Sequence, residues 1–376
     1  MGVFYLGGIM LDRRQLLKQH VIDGVTRDKL VEAYDTNMDR IRGQLSKAWD
    51  DNAVVQDTLK TALKSAKGQE QYKLSQRRIV TESTAFLEDY RDSLADEGGT
   101  RLAVFASDQH LPFIRLDYFD LLLQILEYFS NDIAYYSSLN DLFDFEGMGR
   151  WEQLPDERRA VFDSNIENNY VLARIITSAI KRKIPHAMLV GLTGNHDLRI
   201  LQTLRSREDG HAERLVLEYM QFWHELGVHQ FANGTKREPI VKLSQGLKWV
   251  HGVSAAKNDS TIVKNTIERC AGSDITGDEG ILYHTVSGHV HRSFVGHHMG
   301  VTHANSGCGC SLDASYMKHI SNRWNLGIVI SEFETDGRGV DSTPLRMKRV
   351  GNELVTSYKG VTFKTKFDDT MYYSMQ

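Results

Sequence analysis

Ala187-Met188-Leu189-Val190-Gly191-Leu192-Thr193-Gly194-Asn195-His196-Asp197 is an apolar run that stops on a cluster of oxygen and imidazole side chains. The run is short and is bounded by a Gly turn signal, as a buried strand would be. The same grammar recurs on both sides of it. Leu102 to Ala106 leads into Ser107-Asp108-Gln109-His110. Ile133 to Leu139 leads into Asn140-Asp141-Leu142-Phe143-Asp144. Further on, Lys248 to Val250 ends at His251-Gly252, and Tyr283 to Val286 ends at Ser287-Gly288-His289-Val290-His291. Helical patterns fill 117–129 and 156–183, the second marked by Val161, Ile166, Leu172, Ile175, Ile176 and Ile180; helical pattern resumes over 198–226. Strand alternating with helix predicts an α/β fold. Open sheets of this kind bind ligands beyond the carboxyl ends of their strands, where all five blocks fall. From residue 326 the chain reads as more strands: Leu326 to Ile330, then short runs around Arg346-Met347 and Val361 to Phe363.

The totals set the frame. At 376 residues the chain holds one large domain with an appendage, or two domains. Apolar residues at 41% and charged ones at 25% are ordinary for a globular protein, which sets aside overall disorder. A formal charge of -4 exerts no global pull on nucleic acid or anionic lipid. No apolar run approaches the ~18 residues of a membrane span. The apolar start, Met1 to Met10, has no basic region before it and meets Asp12-Arg13-Arg14 at once, so it is not read as a signal peptide. Three cysteines, Cys270, Cys308 and Cys310, make no disulfide framework, so a reducing, cytoplasmic setting is expected.

Residues 1–98 read as a helical region ahead of a main domain over 99–376, with Asp96-Glu97-Gly98-Gly99 as the linker. Arg27 to Tyr34 is one short amphipathic stretch. Met38, Ile41, Leu45 and Trp49 repeat at helical spacing, as do Val54, Leu59 and Leu63, each set after an Asp or Asn capping signal. Short helices with tight turns fit a helix-turn-helix module or a plain bundle. Acidic and basic residues roughly balance there, which weakens the nucleic-acid reading.

Residues two apart on an extended segment point to the same side. Asp108 with His110, and His289 with His291, can therefore each turn two side chains to one pocket. Mixed imidazole and carboxylate donors suit borderline divalent ions. Two such ions ~3.5–4 Å apart clamp a phosphate and activate a water between them. Asp141 is the candidate to bridge them. Ionised Asp108 and Asp141 cancel roughly two of about four positive charges, leaving a site suited to a phosphoryl group.

The order Asp-x-His, Asp-x-x-Asp, Gly-Asn-His-Asp, His, Gly-His-x-His resembles the calcineurin-like metallophosphoesterase family over about 101–335. The resemblance implies a sandwich of two mixed sheets flanked by helices. It implies that Asp108, His110 and His291 hold one metal, that Asn195, His251 and His289 hold the second, and that Asp141 bridges. It makes His196 the catalytic histidine, with Asp197 orienting it. The second block usually begins Gly-Asp; here it is Asn140-Asp141, a change in the turn that keeps the bridging carboxylate. Phe143-Asp144-Phe145, Arg150-Trp151, Leu198-Arg199, Ser306-Gly307-Cys308, Tyr316-Met317 and Asn322-Arg323-Trp324-Asn325-Leu326-Gly327 resemble a phage-type branch, whose phosphoesterase domain often follows a helix-turn-helix-like region.

The expected function is a di-metal phosphoesterase in which a metal-bridging water attacks phosphorus. A phosphodiesterase or nuclease acting on DNA, RNA or nucleotides comes first; a phosphomonoesterase or protein phosphatase with the same centre is the alternative. A nucleic-acid-binding regulator with a residual metal site is the rival of another class. Two divalent ions are the expected cofactors, manganese first, with zinc, iron or nickel also compatible. Arg199 is the candidate contact to substrate phosphate. Asp144 reads as a hydrogen-bonding anchor and Cys308-Gly309-Cys310 as a tight turn under the site. His211, His224, His229, His284, His297, His298 and His303 take the default reading of satisfied core or surface residues, of which His298 and His303 are near enough in sequence to reach the pocket rim.

Overall fold

The computed structural model describes residues 3–6, 9–12, 27–33, 85–137, 141–144, 156–192, 194–197, 222–223, 225–231, 240–244, 246–252, 256–271, 281–312, 323–336 and 339–368. Asn140, Arg199 and the helical repeats between Met38 and Leu63 lie outside the described residues. The chain divides into two compact units, residues 1–81 with 203–221, and residues 82–202 with 222–376.

In the first unit, strands β1 (Val3–Leu6) and β2 (Ile9–Asp12) pair antiparallel, Leu6 facing Ile9. The sequence expectation for this end was helix. Two apolar runs separated by Gly7-Gly8 are the signal of a two-residue hairpin, and it outweighs the weak helical pattern. Helix α1 (Arg27–Ala33) follows where the amphipathic stretch predicts it.

The second unit begins with helix α2, residues 85–97. It buries Leu87 and Leu94 in the main core, with Tyr90 against them. That packing ties the helix to the strands that follow Gly98-Gly99. One sheet has six strands in the order β13-β12-β3-β4-β5-β6. These are β3 (Thr100–Phe105), β4 (Ile133–Ser137), β5 (Met188–Leu192), β6 (His229–Phe231), β12 (Gly327–Glu334) and β13 (Val340–Arg346). Strands β3 to β6 run parallel, and β12 and β13 add antiparallel strands. The parallel strands are joined by α3 (Leu116–Tyr128) and α4 (Asp156–Lys183), the helices read from the sequence. Strands β4 and β5 are buried along their whole length, as strands covered on both faces must be.

The other sheet has five strands in the order β10-β11-β9-β8-β7. They are β7 (Ile240–Lys242), β8 (Leu247–Val250), β9 (His284–Ser287), β10 (Ser293–His298) and β11 (Val301–Ser306). Helix α5 (Asp259–Ala271) packs on it with Ile262, Val263 and Ile267 inward. Inner-face residues of both sheets share one core: Phe105, Tyr135, Val190 and Val329 from the six-stranded sheet, and Leu247, Trp249, Val286 and Ala304 from the five-stranded one. The Phe105 and Trp249 rings meet across it with centroids 5.6 Å apart. The result is an α/β sandwich of two mixed sheets flanked by helices. A third, three-stranded sheet of β14 (Lys348–Val350), β15 (Glu353–Tyr358) and β16 (Val361–Lys366) completes the unit. No helix among the described residues is long and apolar enough to cross a membrane.

Candidate metal centre

Each candidate ligand sits just beyond the carboxyl end of a strand. Asp108 and His110 follow β3, Asp141 follows β4, and Asn195, His196 and Asp197 follow β5. From the other sheet, His251 follows β8, and His289 and His291 follow β9. Five of them hold left-handed backbone that non-glycine residues rarely adopt: Asp108 at φ 56°, His110 at 47°, Asp141 at 47°, His289 at 71° and His291 at 57°. Such conformations cost on the order of 1–3 kcal/mol each and survive where the surroundings over-determine them. Concentration of that cost on one set of polar side chains marks a site the fold is built to present.

The first cluster joins Asp108, His110 and His291. The Nε2 atoms of His110 and His291 face each other at 3.0 Å, and His291 Nε2 is 3.1 Å from Asp108 Oδ1. Two imidazole nitrogens this close need a proton on one or a cation between them. Asp108 is fully buried; burial would raise its carboxyl, but His291 outweighs that and holds it at about 2. Burial presses His291 the other way, and the Asp108 carboxylate overrides it to raise the ring. The second carboxylate oxygen, Asp108 Oδ2, accepts from the His289 amide at 2.8 Å and from Ser107 Oγ. A Cβ on Gly288 would collide with Ser107 Oγ and Asp108 Oδ2, so glycine is what lets the β9 loop close on Asp108.

The second cluster joins Asp141, Asn195, His251 and His289. Asn195 Oδ1 lies 2.8 Å from His251 Nε2 and 2.7 Å from His289 Nδ1, and His251 Nε2 is 3.1 Å from Asp141 Oδ2. Turned over, the Asn195 amide would instead donate to both rings. As it stands, four lone-pair donors converge, the arrangement a divalent cation would complete. Burial, and then His251, push His289 down to about 4, keeping its ring in the neutral form that ligates. Asp141 groups with Asp108 and His110 on one side and with His251 and His289 on the other, ligand atoms lying within 4.8 Å of one another in each set. It alone belongs to both of these sets. The donors thus fit two cations sharing Asp141.

His196 stands beside these clusters. Its backbone N–H donates to Asp141 Oδ1 at 2.7 Å, and its ring Nδ1 lies 3.0 Å from Asp144 Oδ1. The same Asp144 oxygen is 3.0 Å from His110 Nδ1. Burial would raise Asp144, but its bonds to His110 and His196 outweigh it and hold the carboxyl well below the usual range. Asp197, expected to orient His196, gives its carboxylate to backbone: it accepts from the amides of Asp141 and Gly194 at 3.0 Å and of Phe143 at 3.3 Å. Burial and the neighbouring Asp141 charge nevertheless push Asp197 up to about 8. Asp197 shapes the Asp141 loop; the carboxyl against the His196 ring is that of Asp144.

Two residues of the Asn322 to Gly327 stretch, quoted above only for its resemblance, support the site. Trp324 lies against His291, ring centroids 4.1 Å apart. Asn325 donates from its amide to His291 O at 2.9 Å and accepts from the Cys308 amide at 3.1 Å, clamping two loops together. Their motif marked them by resemblance, but nothing in its spacing tied them to His291. His303 and His298 keep their default reading and do not reach the rim: His303 is buried against Thr285 and Ser287, and His298 pairs with Glu268.

No protein-family model and no curated protein matches the chain. Among solved structures it is similar to Vps29 of Chaetomium thermophilum, at 12% identity and a TM-score of 0.37, over 71% of this chain and 97% of that one. It is similar to a predicted phosphoesterase of Streptococcus pneumoniae, at 8% identity and a TM-score of 0.24, over 72% and 99%. A zinc complex of Vps29 from Entamoeba histolytica matches at 11% identity and a TM-score of 0.27, over 65% and 98%.

Proposed function

We propose that the chain is a calcineurin-like metallophosphoesterase that hydrolyses phosphodiesters, with nucleic acid or nucleotides as substrates. One observation carries the reading: Asp141 belongs to two ligand clusters, with Asp108 and His110 of its own sheet and with His251 and His289 of the other. A carboxylate shared in this way is what a two-cation centre requires. Bound divalent ions would supply Lewis acidity and lower the pKa of attacking water.

The chain's own groups do the rest. Asp108, His110 and His291 would hold one ion, Asn195, His251 and His289 the other, and Asp141 both. Asp144 fixes the His196 ring at Nδ1, so proton donation to the leaving oxygen falls to Nε2. Arg199 would bind a non-bridging phosphate oxygen. The N-terminal region would add a nucleic-acid contact. A diester is favoured because His196 is a positioned acid for an alkoxide leaving group.

The test is hydrolysis of matched aryl phosphate monoesters and diesters by protein supplied with manganese or zinc, with Asp141→Ala as control. Diester turnover, together with loss of both turnover and metal retention in the variant, is the expected result. Monoester turnover alone would move the phosphatase ahead. Full activity in Asp141→Ala would sink the assignment.

A further inference from the structure

A thiol reaches the same centre. Cys310 Sγ and one ring nitrogen each of His110 and His291 lie within 4.8 Å of one another, and all three residues are buried. Two donors on opposite sides of a zinc-sized ion stand at most about 4.4 Å apart, the sum of a Zn–N and a Zn–S bond. The three atoms are thus within a small side-chain rotation of sharing an ion.

The backbone holds the thiol there. Gly309 donates to Asp108 O at 3.1 Å and accepts from the Arg115 amide at 3.1 Å. Cys310 bridges Ile114, so the Cys308-Gly309-Cys310 turn lies along the segment that carries Asp108 and His110. A Cβ on Gly309 would meet Tyr118 Cε1 at 2.5 Å and Gln109 Cγ at 3.1 Å, so a larger residue would push the turn away. On the far side, Cys308 is tied through Asn325 to His291. The turn is therefore fastened to the segments bearing both histidines.

We propose that Cys310 is a thiolate ligand of the first metal position, beside Asp108, His110 and His291, and that this position selects zinc over manganese. The proposal rests on the di-metal reading above. Thiolate donors favour zinc, whereas carboxylate and water suit manganese, so one sulfur changes the preference of one position. On binding, the Cys310 S–H bond breaks, sulfur keeps the electron pair for the metal, and the proton passes to solvent.

The experiment is cobalt(II) titration of metal-free protein, read by near-ultraviolet thiolate-to-cobalt charge transfer and by metal content. The wild type and Cys308→Ser should show the band; Cys310→Ser should lose it. Zinc affinity at that position should fall by roughly ten- to a hundredfold in Cys310→Ser, with manganese affinity unchanged. Zinc-edge X-ray absorption on the unaltered protein gives a reading independent of variant folding. A sulfur shell at about 2.3 Å supports the proposal, and nitrogen and oxygen shells alone overturn it. A band kept in Cys310→Ser but lost in Cys308→Ser also overturns it. Two ions bound with neither band nor sulfur shell removes the thiolate and leaves the phosphoesterase standing. Failure to bind any ion removes both.

Discussion

At the scale of single residues, Asp144 ties a candidate metal ligand to a candidate proton donor. One of its oxygens lies 3.0 Å from the Nδ1 atoms of both His110 and His196. It therefore sets the tautomer of a candidate ligand and of a candidate acid at once. His196→Asn removes the acid and leaves every proposed ligand, so turnover should fall by on the order of 10²–10⁴-fold with metal content unchanged. Metal analysis beside steady-state rates checks this, and an unchanged rate removes His196 from the chemistry. His303 shows the opposite use of an imidazole. It is fully buried, bonded to Thr285 Oγ1 at 2.9 Å, and burial pushes it down to about 3. Its unfolded value is about 6.5, so below that pH the unfolded chain takes a proton that the folded chain refuses. Its contribution to stability is complete above pH 6.5 and falls by roughly 1.4 kcal/mol per pH unit down to about pH 3. Urea unfolding across pH 7 to 4 should show this slope, reduced in His303→Gln.

At the scale of elements, strand ends do the positioning, and this was the part most legible in sequence. β3, β4, β5, β8 and β9 each end on a candidate ligand because an apolar run needs burial and the polar block after it cannot join the core. Runs and blocks are local in sequence, so composition and spacing could find them. What joins loop to loop was not legible. Asp144 reaches back to His110 across 34 residues, and Cys310 meets His110 only once the sheets are assembled. Strands β10 and β11 and helix α5 went unread too, because their burial comes from one another and from the sheet. Glycines carry the close contacts between elements. Gly288→Ala would drive a methyl into Ser107 Oγ and Asp108 Oδ2, which must move because the Asp108 side chain is fully buried. Overpacking of this kind costs about 1–3 kcal/mol. Its larger effect should fall on the first metal position: isothermal titration should show one ion lost and one retained. Two ions bound at wild-type affinity would mean the β9 loop does not need this close approach.

At the scale of the whole second unit, the candidate centre spans the seam between two sheets. Asp108, His110, Asp141 and Asn195 come from the six-stranded sheet; His251, His289 and His291 come from the five-stranded one. Beneath them the sheets are joined by apolar contact, such as Phe105 against Trp249. At the carboxyl edge they are joined by polar groups that crowd lone pairs and bear left-handed backbone. A cation bound at that edge would act as a staple between the sheets. Ligand binding to the folded state stabilises it by RT ln(1 + [L]/Kd), about 2.7 kcal/mol per site at a hundredfold excess over Kd. For a unit of this size each kcal/mol moves Tm by roughly 2–4 °C. Two filled sites should therefore raise Tm by roughly 10–20 °C over chelated protein. Asp141→Ala, which touches both sites, should lose most of that rise; His196→Asn should keep it. Calorimetry with and without chelator decides the matter. A metal-induced rise of equal size in Asp141→Ala would show that ions stabilise the protein from somewhere other than the seam.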